Sequence, residues 1–152
     1  MRSSTPLNLV LPALLVGLLP ITHPAAAAMP VLELNLGIHV VRAEVAYNVS
    51  TRMQGLMQRD HLEQNQGMLF VFSELDRHCM WMKNTLIPLS VAFLDDRGVI
   101  INVEEMLPHT ENTHCATAKS RFALEMNRGW FKKHGLGSGV KLQGIERAPA
   151  PQ

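Results

Sequence analysis

The sequence predicts a mainly β protein: a single-domain antiparallel β-sandwich or barrel with one or two short helices. Apolar runs of strand length recur throughout residues 29–146, and several alternate with polar residues, as VLELNL does at 31–36. Turn-forming clusters such as DDRG at 95–98 separate these runs. Pro88 lies within the most apolar stretch, residues 80–102, and excludes a continuous helix there.

The strands follow from the apolar pattern taken in chain order. Gly37 permits a tight reversal between the first two strands. Both faces of the segment 89–94 are nearly apolar, so this strand is expected in the middle of a sheet that is covered on both sides. Strands are predicted at 31–36, 40–46, 68–72, 80–83, 89–94, 99–103, 121–126 and 140–145.

Two short helices are predicted between these strands. Thr51 is expected to cap the first, with Gln54 as its capping-box partner and an end near Arg59. Its apolar face consists of three residues spaced by three and four positions, Met53, Leu56 and Met57. A single helical turn is expected at 130–134, and Gly135 ends it.

The first 28 residues have the features of a bacterial Sec-type signal peptide. They contain Arg2 near the start, an apolar run at 9–19 and small residues before a cleavage site after Ala28. The apolar run is too short for a membrane span. We therefore expect a signal peptide at 1–28, one β-rich domain at 29–146 and a disordered tail at 147–152, in a periplasmic or secreted protein with no stable membrane insertion after cleavage.

The charge balance argues against two classes of partner. The chain has 14 Lys and Arg residues against 13 Asp and Glu residues, and loss of Arg2 with the signal peptide leaves the numbers equal. A nucleic-acid-binding protein or a membrane-surface protein usually carries a clear excess of basic residues. The expected partner is instead an unidentified small ligand or an envelope protein, and no nucleic acid.

The two cysteines, Cys79 and Cys115, are predicted to form a disulfide in an oxidising compartment. Each follows a histidine, so a zinc site with His78 and His114 is an alternative, as are free thiols. The spacing disfavours zinc, because neighbouring residues of an extended chain point to opposite faces.

Four ordered motifs resemble a known family. RMQGLMQR at 52–59, GMLFVF at 67–72, WMKNTLIPL at 81–89 and ALEMNRGW at 123–130 are similar to the domain of unknown function 192 family. The resemblance implies a small, often exported β domain of sandwich or jelly-roll-like character, with no established activity, substrate or cofactor. The family usually has Asp after the IPL step, where this chain has Ser90. This chain therefore lacks the carboxylate that the family pattern has at that position.

Polar residues within apolar motifs are the candidate ligand-binding residues. A charged side chain among apolar neighbours has to be paired or has to reach solvent. One interpretation is structural, with Arg52 or Lys83 paired with Glu125. The functional interpretation is a polar cleft beside Trp81 that binds an anionic or sugar-like ligand. The candidate residues are Arg52, Trp81, Lys83, Asn84, Glu125 and Asn127.

The hypothesis that this pattern favours is an exported, non-catalytic binding or envelope-associated module, without a cofactor. No catalytic residue or metal ligand is assigned, because the sequence contains none of the common hydrolase, metalloprotease or nucleotide-binding motifs. One alternative is a small hydrolase or transferase that acts on envelope carbohydrate through Glu125 and Lys83. Another is copper or zinc binding by a set drawn from Met80, Met82, His78 and His114.

Overall fold

A computed structural model describes residues 28–152 and shows a mainly β domain. The predicted signal peptide lies outside the described residues except for Ala28. Residues 28–152 contain nine strands: β1 Val31–Leu36, β2 His39–Ala46, β3 Gln66–Asp76, β4 Cys79–Met80, β5 Leu89–Leu94, β6 Ile100–Met106, β7 His114–Cys115, β8 Ser120–Asn127 and β9 Leu142–Gln143. This described part of the chain also has two helices, α1 Val49–Gln54 and α2 Trp130–Lys133, and one 3-10 turn, Ile145–Arg147.

Seven strands form one sheet in the order β6-β5-β8-β3-β2-β1-β9. Strands β4 and β7 form a separate two-stranded sheet. All pairs are antiparallel except β2 with β3, which run parallel. A parallel pair requires a crossover connection, and α1 lies within that connection. The sequence predicted a mainly antiparallel fold, which is confirmed, but it did not indicate this one parallel pair.

Both faces of the central strands are covered by apolar clusters. Along β8, Leu124 and Met126 pack into one cluster, whereas Ala123 packs into the other. Strand β5 is buried at all six positions. This burial agrees with the prediction that the segment 89–94 lies in mid-sheet and explains why its sequence does not alternate.

The first helix begins earlier and ends earlier than predicted. Asn48, not Thr51, is the N-cap: its side chain accepts a hydrogen bond from the Thr51 backbone N–H at 2.9 Å, and Thr51 returns the capping-box bond. Asn48 is in the extended conformation that a cap requires, so the observed cap lies three residues before the predicted one. Gly55 has a positive φ of 50° and ends the helix, leaving Met57 outside it.

The tail that was predicted to be disordered, 147–152, lies within the described residues, and its last residue lies back near α1. The Gln152 backbone N–H donates to the Tyr47 carbonyl at 2.8 Å, next to the start of the helix. Pro149 and Pro151 restrict the intervening backbone and suit an extended path. Within residues 28–152, no helix is long and apolar enough to cross a membrane.

Candidate functional site

A cleft of about 650 Å³ opens beside α1, between the seven-stranded sheet and the segment that follows β4. Its walls are mostly apolar, and its ionisable side chains are Arg52, Lys83 and Glu125. The lining residues are Val49, Arg52, Met53, Gln54, Gly55, Leu56, Met57, Phe70, Phe72, Cys79, Met80, Trp81, Lys83, Asn84, Thr85 and Glu125. Five of the six residues predicted to bind a ligand therefore meet at one cleft.

Glu125 lies near the carboxyl end of β8, facing the inside of this cleft. Its neighbours across the sheet are Met68 on β3 and Val91 on β5, both fully buried. Glu125 is only 4% exposed, and its carboxyl forms no hydrogen bond or ion pair with the described residues. Burial raises its pKa from the ordinary value to about 8, because a charged carboxylate is poorly solvated here.

Arg52 lines the cleft but does not pair with Glu125. Its guanidinium donates to three backbone carbonyls: Tyr47 at 2.6 Å, Val71 at 3.0 Å and Gln152 at 2.9 Å. Arg52 thus ties α1 to β3 and to the chain end. The structural interpretation in which Arg52 neutralises Glu125 is wrong, because backbone carbonyls occupy both terminal nitrogens of the guanidinium.

Trp81, Lys83 and Asn84 form the mouth of the cleft. Trp81 is 45% exposed, and the Lys83 Nζ lies 5.2 Å from the centroid of its ring, within the range of a cation–π contact. Asn84 has a positive φ of 57°, and its carbonyl accepts from the Gln58 backbone N–H at 2.9 Å. Lys83 forms no ion pair among the described residues, so pairing of Lys83 with Glu125 is also ruled out.

Asn127, the sixth predicted residue, lies away from the cleft. Its side-chain amide donates to the carbonyls of Leu62 at 2.8 Å and Glu63 at 3.1 Å. It therefore holds the loop before β3 against the end of β8. The sequence grouped it with Glu125 because both are polar residues within the apolar motif at the end of the same strand.

The apolar walls were not predicted as part of a site. Met53 belongs to the predicted apolar face of the first helix, yet it is 72% exposed at the rim of the cleft. Phe70 and Phe72 belong to a strand that was predicted correctly, but nothing in the sequence marks the side chains that face an opening. Only the fold shows which apolar residues cover the core and which line the cleft.

The predicted disulfide is confirmed and borders the cleft. Cys79 and Cys115 are directly opposite each other in the β4–β7 pair, and their sulfurs are bonded. The bond uses both thiolates of the alternative zinc site. Cys79 also lines the cleft two residues before Trp81, so the disulfide anchors the segment that forms the mouth.

The residues considered for metal binding have other contacts. His78 stacks on Phe72 with a centroid separation of 3.8 Å, and Met82 is fully buried in the core. His114 contacts the side-chain amide of Asn112. In the part of the chain from 28 to 152, no group of three or more His, Cys, Asp or Glu side chains is arranged to hold a metal ion.

A second cleft of about 680 Å³ lies beside the start of the described chain, where Ala28 and Met29 contribute to its lining. Its carboxylate, Glu44, forms a bidentate ion pair with Arg59, which lowers the pKa of Glu44. This partnered carboxylate contrasts with Glu125 in the first cleft.

Family comparison agrees with the motifs found in the sequence. The family model DUF192, described as Uncharacterized ACR, matches residues 25–144. The chain belongs to the DUF192 family. The match spans the seven-stranded sheet and every residue that lines the cleft beside α1. A search of curated proteins found no match.

Two solved structures resemble this DUF192 protein. One is a protein from Sinorhizobium meliloti 1021, provisionally described as a transcription regulator; it is 32% identical, with a TM-score of 0.76, over 80% of this chain and 98% of the other. The second is a protein of unknown function from Novosphingobium aromaticivorans DSM 12444; it is 28% identical, with a TM-score of 0.73, over 83% of this chain and 93% of the other. These comparisons support the fold and assign no ligand.

Ser90 occupies the position where the resemblance to DUF192 led us to expect Asp. Its hydroxyl donates to the Glu105 carboxylate at 2.7 Å and accepts from the Gly129 backbone N–H at 2.8 Å. Glu105 also lies 3.3 Å from the Arg128 guanidinium. The Glu105 carboxylate, on the adjacent strand β6, thus reaches the turn before α2. The fully buried Ser90 hydroxyl both donates and accepts a hydrogen bond.

Proposed function

We propose that this protein is an exported, non-catalytic binding module that holds a small molecule in the cleft beside α1. The observation that carries the proposal is Glu125, a buried carboxyl with no protein partner that faces an open, mostly apolar cleft. A ligand that forms a hydrogen bond with this carboxyl would supply the missing partner.

Burying most of a carboxyl that no protein group bonds costs stability, up to about 1–3 kcal/mol where water does not reach it. An apolar residue at position 125 would avoid this cost and would suit the neighbours Met68 and Val91. A strongly perturbed carboxyl in a cleft is therefore a reasonable mark of a functional site. Glu44 and Glu105 differ in this respect, since each is bonded to basic or polar protein groups.

The walls suit an organic ligand of moderate size. Small-molecule pockets commonly measure about 300–1,000 Å³ and combine apolar walls with a few polar groups. The volume of about 650 Å³ falls within this range. Met53, Met57 and Met80 provide flexible, polarisable contacts, and Trp81 offers an aromatic surface at the mouth.

The same lining favours binding over catalysis. Glycoside hydrolysis usually requires two carboxyl groups that flank the bond, and among the described residues Glu125 is the only carboxyl that lines this cleft. Lys83 stands over Trp81 at the mouth, and the guanidinium of Arg52 is bonded to backbone carbonyls. Export is supported by the signal-peptide features of residues 1–28 and by the disulfide, which persists in oxidising compartments.

The proposal is tested with the mature chain, residues 29–152, in a thermal-shift screen of small organic compounds, followed by calorimetric titration. Binding that stabilises the folded state raises Tm. We expect hits whose shift disappears in Glu125→Leu and weakens in Trp81→Ala. The matched control is Glu111→Gln, which removes an exposed carboxylate outside the cleft. The proposal fails if no compound binds, or if all hits bind Glu125→Leu as well as they bind the unaltered chain.

A further inference from the structure

The chemistry of the cleft follows from what each ionisable lining group already contacts. Arg52, from α1, donates to backbone carbonyls. Lys83, from the segment after β4, lies at the mouth against Trp81. The contributions from β3 are aromatic and apolar, so no titratable side chain of that strand faces Glu125. Glu125 therefore lies at the inner end of the cleft without a cation beside it.

This environment keeps Glu125 a neutral acid at neutral pH. An ionised carboxylate in such a site needs several hydrogen-bond donors or a cation, and the described residues supply neither. No fully buried side-chain oxygen or nitrogen in the described chain lacks a hydrogen-bond partner. Since Glu125 forms no hydrogen bond, its carboxyl oxygens retain contact with the open space of the cleft.

A neutral carboxyl offers a specific pair of interactions to a ligand. Its O–H donates a hydrogen bond, and its C=O accepts one. A carbonyl oxygen on the ligand can accept from the O–H, and an amide N–H on the same ligand can donate to the C=O. An amide therefore satisfies both carboxyl oxygens without bringing a charge into the apolar cleft.

An organic cation fits this cleft less well. It would require an ionised Glu125, and for a pKa of about 8 only about one molecule in ten is ionised at pH 7. The apparent affinity for a cation falls by the same factor, about tenfold. Lys83 at the mouth adds like-charge repulsion. An anion would gain from Lys83 but would lose solvation at the inner end of the cleft.

We infer that the ligand is an uncharged amide with an apolar body, whose amide group pairs with the carboxylic acid of Glu125 and whose body lies along the Met and Phe walls. The inference rests on the proposed function, because it identifies the ligand class of the same cleft. Phe70, Phe72 and Met57 supply wall contacts, and Trp81 covers the outer part of the ligand.

Three probes with one apolar body test the inference: 4-phenylbutanamide, 4-phenylbutanoate and 4-phenylbutylamine. Each is titrated into the mature chain by calorimetry at pH 6, 7, 8 and 9. We expect the amide to bind best at pH 7. Its affinity should fall about tenfold between pH 7 and pH 9 as Glu125 loses the proton that it donates.

Two variants separate the carboxyl from the apolar walls. Glu125→Gln keeps one donor and one acceptor in nearly the same place, so it should bind the amide within about threefold and lose the pH dependence. Glu125→Leu should lose at least tenfold in affinity for the amide. Circular dichroism and Tm establish that each variant is folded before it is titrated.

The possible results distinguish failure of the inference from failure of the proposed function. Preferential binding of the amine, with affinity that rises with pH, overturns the amide inference and leaves a binding cleft. Preferential binding of the carboxylate, or equal binding of all probes to Glu125→Leu, also overturns it. If none of the probes binds and the compound screen yields no ligand, the proposed function fails as well.

Discussion

At the scale of single residues, Glu125 and Arg52 show how far an unusual sequence feature can be interpreted. The ALEM motif marked Glu125 as a carboxylate within an apolar block, and the structure shows that it is buried. The sequence also marked Arg52 but indicated the wrong partner. The carbonyls that Arg52 binds lie 5, 19 and 100 positions away, and backbone acceptors have no signature in the sequence.

Glu125→Gln should change how stability depends on pH. The unfolded carboxyl ionises above about pH 4.5, whereas the folded carboxyl stays protonated until about pH 8. The protonated Glu125 carboxyl therefore contributes fully to the free energy of unfolding at low pH, and this contribution is lost as pH rises through this interval. Relative to Glu125→Gln, the unaltered chain should lose about 2–3 kcal/mol of unfolding free energy between pH 5 and pH 7. Urea unfolding of both proteins measures the difference, and a pH-independent difference would contradict the assignment.

Arg52→Met should destabilise the domain by about 2 kcal/mol, because the backbone carbonyls of Tyr47 and Val71 lose a charged donor while the apolar stem is retained. The matched control is Arg97→Met. The Arg97 side chain is 76% exposed, and its guanidinium lies 3.4 Å from the Asp95 carboxylate, so its loss should cost less than about 0.5 kcal/mol. Equal losses of unfolding free energy in the two variants, measured by urea unfolding, would show that the hydrogen bonds of Arg52 do not stabilise the domain.

At the scale of elements, the strands were more predictable than their connections. Most strand positions follow from local alternation and β-branched composition, which act within a few residues. The start of α1 was misplaced because Asn48 and Thr51 are both good caps, and the choice depends on where β2 ends. The parallel pairing of β2 with β3 was missed because strand direction depends on how the intervening crossover packs, which periodicity does not report.

The β4–β7 pair links stability with the shape of the cleft mouth. The disulfide closes a loop with a sequence separation of 36 residues, so the chain-entropy estimate gives about 4 kcal/mol of stabilisation. The double variant Cys79→Ser, Cys115→Ser should lose stability of about this size in urea unfolding.

The same double variant should also bind cleft ligands more weakly, because Trp81 and Lys83 follow directly after β4. Calorimetric titration under conditions where the variant is still folded checks this effect. Unchanged affinity would show that the mouth is positioned without the disulfide.

At the scale of the whole molecule, the mainly β fold and the DUF192 family were predictable because several separate motifs agree. The grouping of five predicted residues around one cleft followed partly from their spacing in the central stretch, since Trp81, Lys83 and Asn84 are neighbours in sequence. Glu125 joins them through the sheet order, in which β8 lies between β5 and β3, and Arg52 joins them through α1 in the connection from β2 to β3. That long-range arrangement is beyond what a single sequence specifies.

Export is a prediction for the whole chain that can be checked directly. Expression of residues 1–152 in a Gram-negative host should yield a periplasmic protein whose first residue is Met29, as N-terminal sequencing would show. Arg2→Glu reverses the charge at the start of the signal peptide and should reduce export. Accumulation of the full-length chain in the cytoplasm would contradict the expected compartment.

The most direct test of the proposed binding role is a carbon-13 NMR titration of the Glu125 carboxyl. In protein labelled at the glutamate side-chain carboxyl, Glu125→Gln identifies the signal, which is followed from pH 4 to pH 10 with and without 4-phenylbutanamide. We predict a midpoint near pH 8 in the free protein and a higher midpoint with the amide, because the ligand accepts a hydrogen bond from the protonated form. A midpoint near pH 4.5 that the amide does not change would contradict the account.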